Sequence, residues 1–143
     1  MFSFGRYPGL EVFNVRVMYV ALFGVVGVLT RYFCGLVALK HLPPPFPFGT
    51  LLINVLGAFA AGVIYVAGVE KTHISEDMRI GIMVGFLGGF TTFSSYCLEA
   101  IRLIEDREYG YALTYMGLST FLGLGSTVLG IYITRTLLMK GSL

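Results

Sequence analysis

The sequence predicts an all-α membrane protein. It has four transmembrane helices with the third broken at its middle, in a chain that pairs as an antiparallel dual-topology dimer. Three observations carry this reading. Only 13% of the residues are charged, 56% are hydrophobic and the mean hydropathy is +0.81, where soluble domains carry roughly 25% charge. Four apolar runs each approach the ~20 residues needed to cross a hydrocarbon core, joined by short polar connections. A Gly-Gly-Phe-Thr-Thr sequence, Gly88 to Thr92, falls in the middle of the third run. Residues 1–143 read as one membrane-embedded domain, because the longest polar stretch is only Glu70 to Arg79. So short a chain has little room for a solute cavity of its own, which points to assembly.

The first span runs from about Val15 to Leu39. Its apolar run exceeds the ~7–15 residues of a signal-peptide core and lacks a small-residue cleavage site, so it reads as retained. The connection after it holds Pro43-Pro44-Pro45-Phe46-Pro47, which favours an extended backbone and cannot continue a helix. The second span covers Thr50 to Val69. Ser75, followed by Glu76 and Asp77, is a helix N-cap with acids suited to the first turn. The third span runs from Ile80 to about Ile104, the charged EDREYG follows, and the fourth span covers Tyr111 to Leu138. Small residues recur four apart: Gly81, Gly85 and Gly89 in the third span, Gly57 and Ala61 in the second, and Ser119, Gly123 and Thr127 in the fourth. Such stripes let helix backbones approach closely in lipid. Cys34 and Cys97 sit in apolar runs with no metal-ligand spacing and read as packing residues.

Four spans put both termini and the second connection on one side. That side carries six of the ten basic residues: Arg6, Arg16, Lys71, Arg79, Arg135 and Lys140. The other four are Arg31, Lys40, Arg102 and Arg107, with Arg31 and Arg102 near span ends. Orientation follows a clear Lys/Arg excess; six against four is weak, so the chain can insert both ways and pair head to tail. A single orientation with the N-terminus inside is the alternative on charge alone. No Lys/Arg cluster marks a nucleic-acid surface.

Candidate chemistry gathers inside the spans. A Gly88-to-Thr92 break at membrane depth must be covered by protein or line a water-filled site. Carbonyls freed from the helix ladder are cation ligands, and an antiparallel dimer would bring two such breaks together around a small hard cation. Asn54 is either interhelical glue or a solute ligand. Phe93 and Tyr96, three apart, share a helix face; their ring edges are electropositive and suit an anion path, or else simply pack. Ser119 and Thr120 line such a path or bond the preceding turn's carbonyl. Glu99 is the only acid well inside the third span, functional or interfacial. His41 and His73 read as loop residues without ligand partners. No P-loop, nucleophile motif or dinucleotide fingerprint is present, so nothing supports an enzyme.

Taken together these residues resemble the Fluc (CrcB-like) fluoride channels over nearly the whole length. GFLGGFTTFSSY, Gly85 to Tyr96, is close to the family's GFxGGxTTFSTF, and GTLLIN, Gly49 to Asn54, to its GTLxxN. Arg31 and the YMGLS of Tyr115 to Ser119 match more loosely. The resemblance implies an antiparallel dimer in the plasma (inner) membrane with two fluoride pores and one structural Na+ between subunits. On the matching positions, the carbonyls of Gly88 and Thr91 would hold Na+, and Asn54, Phe93 and Ser119 would line the fluoride path. Thr50, Glu99 and Tyr115 would form a polar track, and Arg31 a vestibule. Tyr96 stands where the family has a second pore phenylalanine, adding a hydroxyl that donates to fluoride or obstructs it. Gly123 stands where the family has a further serine. These departures admit a second reading, a non-conducting or partner-dependent subunit of a heterodimer. A small dual-topology multidrug transporter is the rival from another class, but it needs a carboxylate in the first span, and Glu11 lies before that span.

Overall fold

Proline and serine set the helix starts on either side of the second span. The computed structural model describes residues 10–70 and 74–140, and over these the chain is helical without a strand. Helix α1 covers Leu10–His41, the Pro-rich connection follows, and α2 (Phe48–Tyr65) begins directly after Pro47, as a residue without an N–H allows. A π-helical segment, Val66–Glu70, prolongs α2. Helix α3 (Glu76–Ile80) starts at Ser75, whose side chain accepts the Met78 N–H at 3.3 Å. The sequence expectation of an N-cap there holds. A π-helical segment, Gly81–Leu87, leads from α3 into α4 (Gly88–Phe90). After Thr91 and Thr92 come α5 (Phe93–Glu105) and α6 (Tyr109–Lys140).

Among the described residues four stretches are long and apolar enough to cross a membrane: Val15–His41, Phe48–Gly68, Glu76–Glu105 and Tyr109–Leu138. At 32 residues, α1 is roughly 48 Å long and must tilt or project beyond the ~30 Å hydrocarbon core. His41, expected in a loop, is the last residue of α1. His73 and Lys71 lie outside the described residues, as do Arg6 and the rest of the first nine.

The turn from α5 to α6 is a Schellman motif. Glu108 N–H donates to Leu103 O at 2.8 Å and Arg107 N–H to Ile104 O at 3.0 Å, with Arg107 at φ 62°. That left-handed position normally takes glycine; here an arginine fills it, so no glycine signalled the turn in advance.

Glycines bring the helices together in two pairs. A methyl group at Gly62 would overlap the Thr127 carbonyl, and one at Gly130 the Phe59 carbonyl, so α2 and α6 touch backbone to backbone. Ser126 Oγ donates to Val55 O at 3.0 Å and Thr127 Oγ1 to Ala58 O at 3.2 Å across the same contact. A methyl at Gly85 would lie 2.6 Å from Val20 O, and one at Gly89 2.8 Å from Gly24 O, so α1 lies equally close to the 81–90 stretch. The third-span stripe thus packs as expected. Gly123 of the fourth-span stripe does not: a Cβ there meets nothing within 4 Å.

The two ends of the bundle differ. At the proline end, Phe46 is buried with Leu51, Ala100, Leu103, Ala112 and Tyr115, its ring 5.6 Å from that of Tyr115 in an edge-on arrangement. At the other end Arg16 pairs with Asp77 at 2.8 Å and with Glu76 at 3.3 Å, and Arg135 pairs with Glu70. Large apolar side chains such as Leu22, Val25, Val37, Phe121, Leu124 and Val128 are exposed along α1 and α6, as suits a multi-pass membrane protein with lipid as solvent. Cys34, expected as a packing residue, is exposed on α1, and Cys97 is half-buried.

Replacing Gly62 by Ala should destabilise the protein by about 1–3 kcal/mol, the usual cost of overpacking. Gly117→Ala, with open space around it, should leave stability unchanged or slightly raised. Thermal unfolding of the two variants in detergent measures the contrast.

Candidate functional site

Thr91 and Thr92 are extended, at φ −81°, ψ 159° and φ −150°, ψ 118°. The sequence expectation of a break from Gly88 to Thr92 is therefore too wide, since Gly88 and Gly89 stay helical. The helical ladder runs unbroken as far as Thr91, whose N–H donates to Leu87 O at 2.9 Å, with Thr91 Oγ1 on the same carbonyl at 2.8 Å. The next N–H leaves the ladder. Thr92 N–H donates to Asn54 Oδ1 at 2.8 Å, and Asn54 Nδ2 donates back to Thr92 O at 3.0 Å. Each end of the amide has a backbone partner that fixes which atom is oxygen and which nitrogen. Thr92 Oγ1 then accepts the Ser95 N–H at 3.2 Å and caps α5.

These redirected bonds single out two carbonyls. In an unbroken helix Gly88 O would receive the Thr92 N–H, and Thr91 O the Ser95 N–H. The first donor has gone to Asn54 and the second to Thr92 Oγ1. Gly88 and Thr91 therefore carry acceptors deprived of their ladder donors, and both line one groove. That donor set fits a small hard cation, although two oxygens are too few to complete a shell.

Asn54, Phe93, Tyr96 and Ser119 line the same groove, of about 620 Å³, and among the described residues no charged side chain does. Phe93 is 78% exposed. Its ring lies 5.6 Å from that of Tyr96, which in turn lies 5.3 Å from that of Tyr115. Thr120 Oγ1 donates back to Met116 O at 3.0 Å, the local bond open to both hydroxyl residues. Ser119 does not follow it: its Oγ is buried with no partner among the described residues. An unpartnered buried hydroxyl is costly unless something else meets it.

Arg31, Thr50 and Glu99 line a second cavity, of about 530 Å³. Glu99 accepts from Thr50 Oγ1 at 2.8 Å through one oxygen and from the fully buried Tyr115 at 2.7 Å through the other. Arg31 departs from expectation. It lies ten residues before the end of α1 rather than at the span's edge, and its Nε donates to Gly89 O at 2.9 Å. The guanidinium thus braces the helix just before the extended pair. Nothing in the sequence marked this contact, nor the Asn54 clamp: both join residues 38 or more positions apart.

A family model described as CrcB-like protein, Camphor Resistance (CrcB), matches residues 18–131. The chain belongs to the CrcB-like family. The resemblance carried by residues 85–96 and 49–54 is thereby shown. Among its CrcB-like relatives is a Geobacter metallireducens protein named fluoride-specific ion channel FluC, 40% identical over 86% of this chain and 99% of its own length. Proteins of the same name from Geobacter sulfurreducens (42% identical, 85% and 98% covered) and Trichlorobacter lovleyi (41%, 82% and 94%) are similarly close.

Truncating Asn54 to Ala leaves both Thr92 backbone groups without their partner. A loss of about 1–3 kcal/mol for each unsatisfied group is expected, measured as a lowered unfolding midpoint. Asn54→Asp should also destabilise, because a carboxylate retains the acceptor but opposes the Thr92 carbonyl.

Proposed function

We propose that the chain is a passive fluoride-selective channel of the plasma (inner) membrane, working as a double-pored antiparallel dual-topology dimer with Na+ at its centre. One observation carries the reading: Asn54, Phe93, Tyr96 and Ser119 meet along a groove where, among the described residues, no side chain is charged and a buried hydroxyl has no partner. Fluoride is a strong hydrogen-bond acceptor that is costly to dehydrate. Neutral donors and aromatic edges replace part of its water shell, while the lack of a full positive charge lets it leave again. The naming of the relatives as fluoride-specific channels supports the same substrate.

The stretch 76–105 is taken as one membrane span interrupted at Thr91–Thr92, with Asn54 and Arg31 covering the interruption from α2 and α1. Dimerisation is supported by the open groove and by the exposed Phe93 ring, which a second copy would enclose. The weak six-to-four bias of basic residues fits insertion in both orientations. Gly88 and Thr91 of two copies would together offer four carbonyls to Na+, whose charge offsets the clustered oxygen dipoles. Glu99, held by Thr50 and Tyr115, lines the approach beside Arg31. The channel would let cytoplasmic fluoride run down its gradient, without enzymatic chemistry or ATP.

Liposomes holding only this chain should release fluoride rapidly, and not chloride, when valinomycin and K+ balance the charge. Folded dimers that release none would sink the self-sufficient channel and favour a subunit needing a homologous partner. Phe93→Ile should lower the flux at least tenfold while the dimer persists. For Gly88→Val, a Cβ meets nothing in its own protomer closer than Met83 O at 4.0 Å. Loss of dimer on size-exclusion, with helicity retained, is therefore the expected signature of a crowded subunit contact; an assembled, fully active variant would count against it.

A further inference from the structure

The Tyr96 hydroxyl has no assigned role in a groove where an aromatic ring alone would line the wall. The ring is held on both sides, by Phe93 at 5.6 Å and Tyr115 at 5.3 Å, and the residue is half-buried. Among the described residues its hydroxyl makes no hydrogen bond, and it is not one of the buried polar atoms, so it stays accessible on the groove that Tyr96 lines. The freed Gly88 and Thr91 carbonyls on the same groove are those offered to Na+ above, and the side-chain acceptors of Tyr96's neighbours are engaged. Both Glu99 oxygens already receive hydroxyls, from Thr50 and Tyr115, and Asn54 Oδ1 receives the Thr92 N–H. Ser119 Oγ, on the same groove, also lacks a partner among the described residues, and it is buried. Two hydroxyls without protein partners, in a groove whose described lining has no carboxylate, present donors to a small acceptor from outside. Beside Gly123 the wall is open, with no atom within 4 Å of a Cβ there, so the space to receive it exists.

We propose that Tyr96 Oη is a hydrogen-bond donor to the anion and forms with Ser119 Oγ a holding point for a single fluoride in each groove. The assignment rests on the fluoride reading above and resolves what the added hydroxyl does: it binds rather than blocks. A hydroxyl donating to a charged acceptor contributes about 1.5–3 kcal/mol, which is roughly 10-fold or more in affinity. A channel with such a point would saturate at lower fluoride concentration than one walled by phenylalanine alone.

The test is fluoride binding to the purified, detergent-solubilised protein, titrated by 19F NMR with sodium fluoride, alongside the concentration dependence of liposome flux. Tyr96→Phe keeps the ring and should weaken binding about 10-fold or more and raise the half-saturating concentration in step, with Ser119→Ala acting in the same direction. Unchanged affinity in Tyr96→Phe overturns the proposal. If flux rises as well, the hydroxyl is an obstruction; if flux is unaltered, Tyr96 is wall only. In both cases the channel reading survives. No binding to the wild type overturns the holding point, and the wild-type flux then judges the channel reading by itself. Should Tyr96→Phe fail to assemble, protein with 3-fluorotyrosine placed at position 96 alone supplies the readout. Fluoride should then shift that single resonance, and an unmoved resonance rejects the contact.

Discussion

Two hydrogen bonds between the Asn54 amide and the backbone of Thr92 hold the geometry on which the rest depends. Lipid offers no partner to a peptide group, so in a membrane protein the backbone that leaves the helical ladder at Thr91 and Thr92 must find its donors and acceptors within the protein. Asn54 supplies one of each from α2. Thr92 turns its own hydroxyl to the Ser95 N–H, and Arg31 reaches from α1 to the Gly89 carbonyl. Three elements thus converge on four residues. Glycine makes the convergence possible, since side chains at Gly85 and Gly89 would hold α1 away, and Arg31 would then fall short of its carbonyl.

Much of the fold was legible in the sequence because lipid imposes a simple rule on composition and length. Four apolar runs, the proline connection and the Ser75 cap each announce themselves locally. The π-helical segments and the Arg107 turn do not. Their causes lie in packing and in a left-handed residue of an unusual type, neither of which leaves a periodic trace. The site divides the same way. Phe93 and Tyr96 share a face by helical spacing alone, and their rings do meet. The Asn54 clamp, the Arg31 brace and the Glu99 triad join distant positions: Asn54 and Glu99 stood out as polar groups inside apolar spans, Thr50, Tyr115 and the role of Arg31 came only from the resemblance, and neither route stated their bonds. Local reasoning left Ser119 and Thr120 equivalent; the structure separates them by one bond to Met116, which Thr120 makes and Ser119 lacks.

The polar and apolar halves of the interior are joined through Tyr115. Its ring sits against Phe46 and Tyr96, and its hydroxyl serves Glu99. A carboxylate inside a membrane protein is tolerable when its oxygens are met by donors, and here two hydroxyls meet them. The same tyrosine that fills the apolar cluster therefore keeps the acid's orientation fixed beside the Arg31 cavity.

The unlike ends of the bundle carry a final implication. One is closed by Phe46 and its apolar neighbours, the other by arginines paired with Asp77, Glu76 and Glu70. Ion pairs near water weaken as electrolyte rises, whereas apolar closure is indifferent to it or strengthened. Ionic strength therefore acts on a single end of each protomer. In the proposed head-to-tail pair, each membrane face would present one ionic and one greasy seal. A change of medium on either side would then loosen just one subunit's rim, leaving its neighbour's closed.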